Sequence, residues 1–198
     1  MSTHLKTRIV ALGDSTTAGT PGWKSPLEAP PAGSGNEKSQ YAWWLMRSHP
    51  GWDVLNRGVN GERNDEIALR FERDVLGAEP RGVVIIAGVN DVYQGRDAAQ
   101  VIERLRAMHE RGRAAGITVV AGTIVPFNTA TPEQNARMRQ INDWIRGAGH
   151  PFADTRAAVA APGNPDLLAD PPDNLHPSPD GYRRMAEALR PVLERLFP

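Results

Sequence analysis

The sequence predicts an α/β protein, a three-layer α/β/α sandwich around a five-stranded parallel sheet. Five apolar runs of strand character alternate with five segments of helical period, the pattern of a sheet covered by helices on both faces. Val83-Val84-Ile85-Ile86-Ala87 is an unbroken, β-branched-rich run, as expected for a strand buried on both sides. The first run, Arg8 to Leu12, stops at Gly13-Asp14-Ser15, and small residues follow. In a parallel sheet, ligands bind beyond the carboxyl ends of the strands. A serine at that point is where a nucleophile would be useful, although Asp14, Ser15 and Thr16 are also all favoured helix caps. Gly13 is expected to allow a sharp turn and a close approach to the main chain.

Thr20 to Lys38 carries four prolines and three glycines and reads as a long loop. Loops of this length in compact domains are usually functional or mobile. Lying just after Ser15, it is a candidate pocket wall. A helix is expected from about Ser39 to Ser48, with Tyr41, Trp44 and Leu45 on one face and His49-Pro50-Gly51 as its stop. At helical spacing, Trp43 and Trp44 suit core packing better than an acyl pocket. Trp52 to Leu55 reads as the second strand, running into Asn56-Arg57-Gly58-Val59-Asn60-Gly61. Ile67, Phe71 and Val75, four residues apart, mark the next helix. After the Val83 strand comes Gly88-Val89-Asn90-Asp91. A helix from Asp97 to Ala115 then carries Val101, Ile102, Leu105 and Met108, with Gly116 as its terminator.

Ile117 to Ala121 is the fourth strand, leading to a polar loop over Pro126 to Thr131. Thr131-Pro132 reads as a cap followed by proline at the first helical position, ahead of Met138, Ile141 and Ile145. Pro151 to Asp154 is a short fifth strand. A second Pro-rich loop, Pro162 to Pro172, ends in Asp173-Asn174-Leu175-His176. Ser178-Pro179 opens a last helix with Tyr182, Met185, Leu189 and Val192 inward, which Pro191 should kink or break. A flavodoxin-like strand order would set strands one and three side by side and bring Ser15 near Asn90.

The 198 residues suit a single domain, residues 1–198, with a sizeable core. The 23 basic and 23 acidic side chains cancel, so neither nucleic acid nor an anionic membrane is an expected partner. The absence of cysteine removes disulfides, Cys nucleophiles and Cys-ligated metals. His4, His49, His109 and His150 lack His-Glu-x-x-His spacing, so no metal is expected. No Walker A string or Gly-x-Gly-x-x-Gly offers a nucleotide phosphate cradle, and no Gly-x-Ser-x-Gly elbow is present. No stretch approaches the ~20 apolar residues of a membrane span, and Met1 to Arg8 contain no apolar signal region. A cytoplasmic location is the expectation.

Four segments therefore share one rim of the sheet: Gly13-Asp14-Ser15, Asn56 to Gly61, Gly88-Val89-Asn90-Asp91 and Asp173-Asn174-Leu175-His176. In this order and spacing the chain resembles the SGNH hydrolases, the GDSL esterase/lipase family. The resemblance implies a serine ester hydrolase acting on a small-molecule ester through an acyl-enzyme, without cofactor. Ser15 would attack, His176 would take its proton and Asp173 would orient His176. The backbone N–H groups of Ser15 and Gly61 and the side-chain amide of Asn90 would hold the oxyanion.

The chemistry agrees with these residue types. A serine hydroxyl is a poor nucleophile until a base removes its proton. An unperturbed imidazole, with a pKa of about 6.5, is mostly neutral at neutral pH. It needs an acceptor on its other nitrogen, and one tight turn would bring Asp173 and His176 within reach. Asp154 and Asp170 are fallbacks for the acid, and Gly58 competes with Gly61. Thr16 stands where the family's name implies Leu, a departure that bears on packing. A non-catalytic binding module for an acylated sugar or peptide, or a flavodoxin-like cofactor carrier, are the competing classes.

Overall fold

The computed structural model describes residues 6–198; Met1 to Leu5, His4 among them, lie outside the description. Five strands form the central sheet: β1 (Thr7–Gly13), β2 (Trp52–Gly58), β3 (Gly82–Ile86), β4 (Thr118–Gly122) and β5 (Phe152–Ala153). Their order is β2-β1-β3-β4-β5 and every pairing is parallel, as expected from the alternating pattern. β1 is an interior strand. Gly13 at its end pairs with Gly58 of β2 on one side and with Ile86 of β3 on the other.

Side chains alternate across the sheet because successive strand residues point to opposite faces. Val10, Leu12, Val83, Ile85 and Val119 pack beneath α3 (Asn64–Leu69), α4 (Phe71–Asp74), α6 (Ala98–Ala114) and α7 (Pro132–Gly147). Ile9, Ala11, Val54, Val84, Ile86 and Val120 face α2 (Tyr41–Ser48), α8 (Thr155–Val159) and α9 (Pro179–Leu196). Two one-turn helices, α1 (Ser15–Ala18) and α5 (Val89–Tyr93), sit directly on the strand ends.

Several boundaries differ from the sequence expectation. β2 continues through Asn56 and Arg57 to Gly58, since pairing with β1 extends along the whole strand. The helix expected across Ile67, Phe71 and Val75 is divided at Arg70, which has φ −97° and ψ 4°. Pro191 neither breaks nor ends α9, which runs unbroken for 18 residues. Pro191 and Glu187, whose carbonyl loses its N–H partner, are both on the exposed side, where water can replace the lost bond. The buried stripe of α9 ends on Leu193, and Val192 is only half-buried. Tyr182, Met185, Leu189 and Leu193 are completely buried. A buried side chain such as Leu contributes roughly 1.5–3 kcal/mol, so this stripe docks the segment that follows the Asp173–His176 turn. No helix among the described residues is long and apolar enough to cross a membrane.

One buried histidine gives the fold an acid-sensitive point. His109 on α6 is 1 % exposed, stacks on Trp144 of α7 and meets His150 edge-on. Neither ring nitrogen has a hydrogen-bond partner. Burial, then the nearby His150 and Arg113, push its pKa down to about 4. The unfolded chain therefore binds this proton first, and stability falls as pH drops from about 6.5 toward the folded value. His109→Phe, which keeps the stacking, should reduce the loss of melting temperature between pH 6.5 and 4; thermal melts across that range measure it.

Candidate active site

The turn after β1 is shaped by close packing. A Cβ on Gly13 would lie 2.2 Å from the Ile86 carbonyl oxygen and 2.3 Å from Thr17 Oγ1. Gly13 thus makes room for β3 and α1, whereas the sequence suggested room for a substrate. A Cβ on Gly58 would lie 2.0 Å from the backbone nitrogen of Ala18. These two glycines let α1 settle on the ends of β1 and β2. Asp14 caps α1 by accepting from the Thr16 N–H at 2.9 Å, which leaves Ser15 as the first helical residue. Asn56 closes the other end, donating to the Ala18 carbonyl at 3.0 Å while accepting the Gly58 N–H at 3.0 Å.

The second segment is built locally. Asp173 Oδ1 accepts from the backbone N–H groups of Leu175 (3.1 Å) and His176 (2.8 Å), and Asn174, which follows Asp173, turns the chain at φ 61°. Its Oδ2 accepts from His176 Nδ1 at 2.7 Å. That bond places the ring proton on Nδ1 and leaves Nε2 as an acceptor, 2.9 Å from Ser15 Oγ. Ser15 and His176 are 161 residues apart in sequence, and both are nearly buried. Partial burial pushes the Asp173 carboxyl up, but the His176 ring and the two backbone N–H groups hold it below its ordinary value. Of the fallback acids, Asp154 instead caps α8 and pairs with Arg146. Asp170 sits at φ 52° outside the turn.

Gly61 and Gly58, open alternatives in the sequence, are distinct in space. The Gly58 N–H is consumed by Asn56, and Gly58 is crowded by α1. Gly61 has φ 81°, is exposed, and has nothing within 4 Å of where a Cβ would project. Asn90, on α5 just beyond β3, donates from Nδ2 to the Glu62 carbonyl at 2.9 Å. An amide carries two hydrogens, so one remains for another acceptor. The Thr20–Lys38 loop is tied to the same rim: Ser25 Oγ donates to the Gly58 carbonyl at 2.6 Å, and Glu28 accepts the Asn60 N–H at 3.0 Å. The Pro126–Thr131 loop meets the histidine turn where the Asn128 N–H donates to the Asn174 carbonyl at 2.7 Å. Among the described residues, no group of three or more His, Asp or Glu is placed to hold a metal ion.

Sequence reasoning missed Arg70. Its guanidinium, 7 % exposed, bonds the carbonyls of Gly13 and Arg57 at 2.8 Å each, Glu62 at 2.6 Å and Asp74 at 2.9 Å. The available signal was an arginine three residues after Ile67, on the face where the apolar stripe runs.

Residues 11–184 match the model of the GDSL-like lipase/acylhydrolase family. The chain belongs to this family. It is an ester-hydrolysing enzyme. An acetylxylan esterase from Geobacillus stearothermophilus is 29% identical over 154 residues, covering 69% of each chain. A G-D-S-L family protein from Desulfitobacterium hafniense superposes with a TM-score of 0.77 at 22% identity, over 95% of this chain and 100% of that one. The structure of a Geobacillus stearothermophilus acetylxylan esterase gives a TM-score of 0.68 at 22% identity, over 98% and 97%. These superpositions establish the GDSL fold, with its five-stranded parallel sheet between helices.

Asp14, the acid of the Gly-Asp-Ser string, is 1 % exposed. Burial raises its pKa to about 7 despite the Thr16 N–H, with the negative charge of Asp91 adding to the rise and Arg70 opposing it. The folded state therefore holds this proton more tightly than the unfolded chain. Its contribution to stability is present below about pH 4 and lost as pH rises toward the folded value. Asp14→Asn, which can still cap α1, should gain melting temperature relative to the parent between pH 5 and 8; scanning calorimetry over that range measures the difference.

Proposed function

We propose that the protein is a serine carboxylesterase that cleaves small or medium acyl esters through an acyl-enzyme, with an acetyl ester as the favoured substrate. The observation that carries this reading is the continuous chain Ser15 Oγ–His176 Nε2–Asp173, with bonds of 2.9 and 2.7 Å. Ser15 attacks the ester carbonyl while His176 takes its proton on Nε2. Asp173 keeps the ring in that tautomer and stabilises the imidazolium that forms. His176 then returns the proton to the departing alcohol, and water repeats the sequence to release the acid.

The N–H groups of Ser15 and Gly61 and the unused amide hydrogen of Asn90 stabilise the tetrahedral oxyanion. Ser15 is the first residue of α1, where backbone N–H groups lack helical partners. Gly61 is exposed, with nothing within 4 Å of where a Cβ would project, which leaves room for a substrate beside it. The preference for a small acyl group is supported by the burial of Ser15 and His176 and by the likeness to an acetylxylan esterase.

Short-chain p-nitrophenyl esters test the reading. Wild-type protein should hydrolyse p-nitrophenyl acetate faster than long-chain esters and label covalently with a fluorophosphonate. Ser15→Ala should abolish both, and full activity in that variant overturns the assignment. Asn90→Ala should lower kcat by about 10²- to 10³-fold, the usual effect of losing one oxyanion donor. Asp173→Asn should cost less than Ser15→Ala, because triad members contribute unequally.

A further inference from the structure

We propose that Arg70 is the positioning residue of the oxyanion hole, holding the segments that carry its three donors in one arrangement. This inference rests on the serine-esterase reading above. Those donors belong to three different strand–helix junctions, and no backbone ladder links the loop after β2 directly to α5. Across that gap the Asn64 N–H donates to Asp91 at 2.9 Å and the Asn90 amide to the Glu62 carbonyl, while Arg70 ties the Glu62 end of the loop to the β1 and β2 ends. Nη2 donates to the Gly13 carbonyl, two residues before Ser15. Nη1 donates to the Arg57 carbonyl, at the base of the loop that leads to Gly61. Nε donates to the carboxylate of Glu62, the residue after Gly61. The Glu62 backbone carbonyl in turn accepts the Asn90 amide at 2.9 Å, which orients that side chain.

One planar cation therefore reaches the Ser15 turn and the Gly61 loop directly, and Asn90 through Glu62. Arginine suits this task because its fork fixes several donors in one plane, which a lysine ammonium cannot do. The position is costly in sequence terms. Arg70 interrupts the helix that Ile67, Phe71 and Val75 would otherwise share, and it occupies a buried place between two acids. Asp74 on α4 satisfies the guanidinium from below and touches none of the three donor segments. Glu62 is thus the arm toward the site and Asp74 the anchor.

Kinetics of p-nitrophenyl acetate hydrolysis, with melting temperatures taken in parallel, separate these roles. Arg70→Lys should lower kcat by about 10- to 100-fold while KM changes less than about threefold, because a small misplacement of donors affects the transition state more than ground-state binding. Arg70→Lys could also fail to fold, so Glu62 provides the second test. Glu62→Ala should lower kcat by about tenfold, and Glu62→Gln, which keeps an acceptor for Nε, should recover most of it. Asp74→Asn should lower the melting temperature with kcat within about twofold of wild type. Folded Glu62→Ala with wild-type kcat overturns the proposal, as does a loss of kcat that merely tracks melting temperature across all the variants. An inactive wild type refutes the esterase reading and this proposal together, whereas active wild type with unaffected Glu62 variants refutes only the role of Arg70.

Discussion

The end of β1 is the constraint on which the site depends. Gly13 is paired on both sides, with Gly58 and with Ile86, and no side chain fits above it. The chain leaves the sheet at an interior strand end, and α1 begins at once because Asp14 is available to cap it. Ser15 is thereby held at the first turn of a helix seated on two strands, with its hydroxyl at the rim and its N–H free of helical partners. The nucleophile's position follows from glycine packing and a single cap.

The histidine is placed by a different device. Within Asp173–His176, one carboxylate accepts two backbone N–H groups and the ring, so the acid and base are oriented before the turn meets anything else. What brings the turn to Ser15 is the docking of α9 through Tyr182, Met185, Leu189 and Leu193. A hydrogen bond contributes only about 1 kcal/mol net, whereas each such apolar side chain contributes roughly 1.5–3 kcal/mol. The fold therefore holds the Ser15–His176 contact, and the contact is too weak to hold the fold.

Buried charge is concentrated under the same rim. Asp14 and Asp91 repel one another, Arg70 opposes the rise at Asp14, and Arg70 is shared between Glu62 and Asp74. Isolated buried charges are expensive, and groups in this position survive only when paired and hydrogen-bonded. The backbone of Arg70, where α3 meets α4, leaves helical geometry at the same place. The apolar period of Ile67, Phe71 and Val75 gave no sign of that division.

The parallel sheet was legible because Val83 to Ala87 and its counterparts are apolar without alternation, and because helix-period stripes separate them. The pairing of Asp173 with His176 was legible because three residues separate them and one turn joins them. By itself, then, the sequence determined the layers and which segments follow the strand ends, since these come from local period and turn chemistry; the flavodoxin-like strand order rests on analogy, and the observed pairings agree with it. Tertiary structure alone decided between Gly58 and Gly61, the purpose of Gly13, the continuity of α9 through Pro191 and the reach of Arg70. Each of these depends on what a distant segment places within a few ångströms, and such proximity leaves no trace in the local order of residues.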